Sequence, residues 1–178
     1  MTSRISANKS TARTDLLEKE HGWSITGISG PNLTMSYKRE IELIFDISAF
    51  HQPGNPKKSS KNSPIELRYT AGDREFRAIP STPEKEFFLQ LALTHVQTLP
   101  QSSTPVRRLL EIVSTAWNKA NTVAEQVRFV NLTFPTTVAR LSDTSIQVKS
   151  SVLAVPLKTK VEVSLVLESL EAAEGLEV

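Results

Sequence analysis

Between Thr104 and Pro135 the hydrophobic residues fall at a spacing that one local structure satisfies. Val106, Leu110, Val113, Trp117, Ala120, Ala124 and Val127 recur at alternating steps of four and three, which sets them in one stripe down an α-helix. Thr104 stands at the N-cap position. Pro105 follows at the first helical position, where its missing N–H is not needed. Beyond Val127 the spacing changes: Val130, Leu132 and Phe134 alternate as in a strand, until Pro135 interrupts them. The expectation is a long helix feeding a sheet. No side chain of the stripe carries chemistry, which tilts the reading toward a binding module.

The chain before this helix reads as strands and one more helix. Helical character builds over Asp15–Glu20 and stops at His21-Gly22, where glycine suits a helix C-terminus. Leu16 and Leu17, with Ile5 and Ala12, are the residues that could form a seam there. Trp23, Ile25 and Ile28 open a strand that Gly30-Pro31-Asn32 turns back. Leu33, Met35 and Tyr37, then Ile41, Leu43, Phe45 and Ile47, alternate with polar residues. A period of two implies antiparallel hairpins with one buried face. Residues 49–63 read as a solvated loop, Ile65, Leu67 and Tyr69 as a strand, and Ala71-Gly72-Asp73 as a turn. Ser81 and Glu84 have capping-box spacing ahead of a helix whose face uses Phe88, Leu91, Ala92, His95, Val96 and Leu99, ended by Pro100. The last third returns to strands at Ile146–Val148, Val152–Val155 and Val161–Leu167. Strands and helices that segregate in this way indicate an α+β fold. Two sheets flanking a helix pair suggest two small units.

Composition removes several function classes. Hydrophobic residues make up 39% of the 178, enough for a core, and 21 basic residues stand against 19 acidic, so no global field draws the chain to nucleic acid or membrane. Cysteine is absent, which excludes disulfides and thiolate catalysis and accords with a reducing compartment. No apolar run approaches the ~20 residues of a membrane span. Residues 1–14 are polar and lack the centre of a signal peptide, so the expectation is an intracellular, soluble protein. His21, His51 and His95 do not stand at metal-ligand spacing. His95, among leucines, reads as a core or boundary residue. Gly27-Ile28-Ser29-Gly30 lacks the lysine and helix of a phosphate loop. The sequence therefore points away from an enzyme and calls for no cofactor or metal. An enzyme on an α+β sandwich would need a pocket that gathers His95 with buried acids.

Three blocks carry a family resemblance. Leu33–Asp46, soon after Trp23, resembles the C-terminal region of the Spc-seven family of fungal kinetochore scaffolds, relatives of animal blinkin, the kinetochore-null scaffold. The helix Leu109–Arg128 with Phe134-Pro135-Thr136 resembles a second block of that family, and Val152–Val163 a third. Together they span about Leu16 to Leu167 in the family's order. The resemblance implies tandem RWD domains, α+β modules with a four-stranded antiparallel sheet against helices, at the end of a coiled coil. On that reading residues 1–21 end the coiled coil, 22–101 form the first module and 102–178 the second. The expectation for this later module is truncation after Leu167, which would leave an open sheet edge and exposed apolar surface. The resemblance further implies a non-catalytic docking module in the nucleus, at the kinetochore, that binds an extended tail of a MIND complex subunit. Its coiled coil would pair with a companion protein, with Leu16 and Leu17 as seam residues, and it would contact neither nucleic acid nor membrane. An RWD-like module of another scaffold or of a ubiquitin-pathway protein is the alternative.

Overall fold

The computed structural model describes residues 21–50, 62–71 and 79–169. Among the described residues there are seven strands and two α-helices: β1 (Trp23–Ser29), β2 (Asn32–Tyr37), β3 (Ile41–Asp46), β4 (Glu66–Tyr69), α1 (Pro83–Thr98), α2 (Val106–Thr133), β5 (Thr136–Arg140), β6 (Ser145–Ala154) and β7 (Thr159–Glu168). This is the α+β fold expected. The described residues group into two compact units, one reaching Ser81 and including His95–Ser114, the other formed by Thr82–Thr94 and Thr115 onward. None of the described helices is long and apolar enough to cross a membrane.

The first unit holds the antiparallel sheet β1-β2-β3-β4. Leu33 pairs with Phe45, Met35 with Leu43, and Tyr37 with Ile41. Leu43 in turn faces Leu67, and Ile41 faces Tyr69. Directly opposed residues share a face, so the alternation read from the sequence becomes one continuous apolar surface. Tyr37, Ile41, Leu43 and Phe45 are buried. Trp23 is buried too, its ring 5.0 Å from that of Tyr37. Gly22 takes a left-handed φ of +73°, and a Cβ there would lie 2.9 Å from the Tyr37 ring. Both facts require glycine at this turn. Ala49 and Phe50 correct the expectation of a solvated loop: they are buried, and Phe50 sets its ring edge-on to Phe45. Residues 51–61, the rest of that loop apart from Asn62 and Ser63, lie outside the described residues, as do Gly72 and Asp73.

Gln101 ties this unit together. Its side chain is buried. The Ser63 N–H donates to its Oε1 (2.8 Å), and its Nε2 donates to the Ser63 carbonyl (2.7 Å). One side-chain amide thus copies a rung of a β-ladder just ahead of β4. Asn62 adds a bond from Nδ2 to the Leu99 carbonyl at 3.0 Å.

Asp46 closes β3. Its Oδ1 accepts from the Ser48 hydroxyl (2.6 Å) and the Ser48 N–H (2.8 Å), and its Oδ2 from the Ser63 hydroxyl (3.3 Å). These bonds, that of the Ser48 hydroxyl foremost, hold the carboxyl below its ordinary 3.8. A depressed acid stabilises the fold above its unfolded-state value and loses that contribution as pH falls through the folded value. We therefore expect Asp46→Asn to lower the urea midpoint slightly at neutral pH, with the gap to the parent closing below about pH 4. Urea titrations of both proteins across that range check it; a gap that stays constant would exclude the carboxylate as its source.

The second unit contains the three-stranded antiparallel sheet β5-β6-β7. Trp117 and Ala120 from α2, Phe87 and Ala92 from α1, and Ile146 and Val148 from β6 are buried in it. Four sequence expectations need correction here. First, Val130 and Leu132 are not in a strand: α2 runs on to Thr133, and the Phe134 N–H donates to the Val130 carbonyl at 2.8 Å. Val130 and Phe134 continue the three-and-four spacing from Val127, so they fit both periods. Second, the segments Ile146–Val148 and Val152–Val155 are not two strands. Apart from Val155, which starts a 3-10 turn, they belong to the continuous β6, which runs from Ser145 to Ala154. Ser150, polar enough to suggest a break, bonds its hydroxyl to that of Thr136 across the ladder at 2.9 Å.

Third, α1 buries Glu84 and Phe87 beside Ala92 and Val96, whereas His95 is exposed. Phe88, Leu89, Leu91 and Leu93 are half-buried, so the helix is apolar around much of its girth and shows no single stripe. Fourth, the expected caps differ. Neither the Ser81 nor the Thr82 hydroxyl has a hydrogen-bond partner, so the box with Glu84 does not close. The Thr104 hydroxyl turns back to the Pro100 carbonyl (2.9 Å), and α2 begins at Val106.

Candidate docking surface

Sheets that bury one face need a cover, and the exposed apolar residues show where that cover stops. In the first unit the margin is β1, an edge strand of the sheet. Ile25 and Ile28 are exposed although they pair with Met35 and Leu33. A register shift between Ile25 and Gly27 marks a bulge, a device that bends an edge away from chance pairing. On the opposite face the Thr26 hydroxyl donates to Glu42 Oε1 at 3.1 Å.

In the second unit the exposed apolar surface is larger. The last turns of α2 present Phe129 at 72% and Leu132 at 78% exposure. Thr122, Glu125, Gln126, Phe129 and Val130 line a shallow groove along that helix. Phe129 lies off the stripe that ends on Val127, so the periodicity gave no sign of it; an aromatic on the wrong side of an amphipathic helix was the only signal it carried. The sheet shows the same margin. Ile146 and Val148 on β6 are buried, but every residue of β7 is exposed.

Several exposed ionisable side chains form solvent-facing pairs. Arg107 meets Glu111 at 2.9 Å, Arg140 meets Asp143 at 2.9 Å, Lys149 meets Glu162 at 4.0 Å, and Arg68 meets Glu66. Each of these is worth little to stability. Among the described residues, no three His, Asp or Glu come close enough together to hold a metal ion. Leu16 and Leu17, the partner-contact residues expected from the sequence, lie outside the described residues.

A four-stranded antiparallel meander followed by helices is the arrangement an RWD domain requires, and the sequence agrees. The family model of the Knl1 RWD C-terminal domain matches residues 2–124. The chain belongs to that family. Membership makes it a kinetochore scaffold interaction domain, with roles in the area of chromosome segregation. The Knl1 RWD match covers β1 to β4, α1 and α2 as far as Ala124; the exposed end of α2 and the second sheet lie beyond it. No curated protein and no solved structure matches the chain.

Proposed function

We propose that this chain is a non-catalytic docking module of an outer-kinetochore scaffold, acting in the nucleus at the centromeric region of chromosomes. It anchors the scaffold to the MIND complex by gripping an extended tail of one subunit. The observation that carries this reading is the Knl1 RWD match over residues 2–124. The uncovered apolar margins support it, because an extended peptide gains main-chain hydrogen bonds along a sheet edge and sets alternate side chains on exposed apolar residues. Residues 22–101 and 102–178 act as two RWD-like modules in tandem. Residues 1–21 end a coiled-coil helix that pairs with a companion protein, and Leu16 and Leu17 supply its seam.

Calorimetry with a MIND-subunit tail peptide tests the anchoring. Saturable heat is expected; no heat from a peptide that binds another member of the family would count against MIND anchoring. The seam is tested separately, in a pull-down from kinetochore extracts. Leu16→Asp with Leu17→Asp should lose the coiled-coil companion and leave the heat of the tail peptide unchanged. If companion recovery is the same with and without the double change, these leucines are not the seam.

A further inference from the structure

The exposed strand β7 carries a pattern that fits a copy of itself. Among the described residues it pairs with β6 alone, which leaves its other side open. The Ser169 N–H donates to the Thr144 carbonyl at 2.7 Å. Backbone direction alternates along a strand, so that bond fixes the rest. Val161, Val163, Leu165 and Leu167 turn their amides and carbonyls toward β6, and Lys160, Glu162, Ser164, Val166 and Glu168 turn theirs outward. The side chains of the first group share a face with Ile146, Val148 and Val152, their neighbours on β6. They are 42%, 46%, 62% and 36% exposed. The second group lies on the polar face, where Gln147 bonds Ser164 (2.8 Å) and Lys149 meets Glu162.

We infer that β7 is a self-association edge, joining two copies of this chain in an antiparallel, two-fold pairing centred on Ser164. In that register Lys160 of one copy faces Glu168 of the other, and Glu162 faces Val166. On the apolar face Val161 meets Leu167 and Val163 meets Leu165. All the outward-pointing residues then exchange N–H···O bonds, and the two sheets become one continuous six-stranded sheet. The interface is self-complementary, as a two-fold contact must be.

Charge and the extent of the strand together select this register. Sliding one copy by two residues in one direction sets Glu162 against Glu168. The same slide in the other direction gives Lys160 a valine and sets Glu168 opposite Lys158, whose left-handed backbone in the turn before β7 cannot extend the ladder. Slides by one residue put outward amides against inward ones. Opposite charges directly across a ladder stabilise it and like charges oppose it. Lys149 beside Glu162 offsets the one acid that lacks a basic partner in the dimer. The pairing does not use β1, an edge strand of the family-matched sheet among the described residues.

Sedimentation of the 178-residue chain over a wide concentration range tests the inference, with circular dichroism confirming that each variant is folded. The parent should show a reversible monomer–dimer equilibrium. Lys160→Glu alone and Glu168→Lys alone should each weaken it about tenfold or more, because each change sets like charges opposite each other at two symmetric positions. The double exchange Lys160→Glu with Glu168→Lys should restore it. A chain that stays monomeric throughout, or a dimer indifferent to both single changes, overturns the proposal. So does a monomer whose outward β7 amides resist hydrogen exchange, since the edge would then be covered by the chain itself. A dimer weakened by both single changes and rescued by the exchange establishes it.

Discussion

Trp117→Ala should cost about 3–5 kcal/mol, the largest loss expected from any single change in this chain. The ring is 1% exposed and sits between Val113 and Ala120 on the buried stripe of α2. Truncation removes its transfer free energy and leaves a cavity that backbone already fixed in a 28-residue helix cannot fill. Lys85 also loses a partner, since its ammonium stands 5.4 Å from the centre of the ring, although that contact is worth no more than about 1 kcal/mol at an accessible site. Domains of this size are stable by roughly 5–15 kcal/mol, so the variant should unfold at a far lower urea concentration or fail to fold. Trp117→Phe, which keeps most of the buried area, should fall well short of that loss. The chain has one other tryptophan, Trp23, so its emission in the phenylalanine variant follows the first unit separately. A Trp117→Ala protein with an unchanged midpoint would mean that the stripe is not a core.

Gln101→Leu should be the second most damaging change, at about 2–4 kcal/mol, despite a near-equal volume and a gain in apolarity. The loss comes from the partners left behind. The Ser63 N–H and carbonyl, now bonded to Oε1 and Nε2, would face hydrocarbon with no donor or acceptor in reach. Gln101→Glu adds a sign that packing alone cannot produce. A neutral carboxylic acid can reproduce both bonds, whereas a carboxylate keeps only the one from the Ser63 N–H and repels the Ser63 carbonyl. The folded state would then hold its proton more tightly than the unfolded chain, in which glutamate titrates near about 4.3. The variant should approach parental stability below that value and lose it as pH rises through the folded-state value. Urea midpoints measured on both sides of that range check the sign; a pH-independent deficit would show that the amide's hydrogen bonds are not what is lost.

The parts of this fold that were legible from sequence are those where one face is buried and the other wet. Leu33 to Asp46 alternates because β2 and β3 have a core on one side only, and the paired rows Leu33–Phe45 and Met35–Leu43 follow directly. The α2 stripe was readable for the same reason. Legibility failed where that asymmetry disappears. Around α1 nearly every apolar position is at least half covered, so His95 could not be told from its neighbours. At the end of α2, Val130 and Phe134 satisfy periods of both two and four, and Leu132, the residue that favoured a strand, is exposed on a helix. Gln101 was invisible because its importance lies in a partner far along the chain. The docking surface was legible only as an expected open edge. Which strand ends a sheet among the described residues, and which way its amides point, depends on topology that no local pattern encodes.

Both sheets are meanders, each strand hydrogen-bonded to the next one in sequence. That topology bears on kinetics. Hairpins close short loops at little entropic cost, and folds dominated by such local pairings reach the native state quickly. One pairing departs from this pattern. Strand β4 joins β3 across residues 47–65, and the Gln101 amide that grips its approach comes from beyond α1 in the chain. That clasp should close after the rate-limiting barrier, so Gln101→Leu would accelerate unfolding in stopped-flow experiments while leaving the refolding rate nearly unchanged.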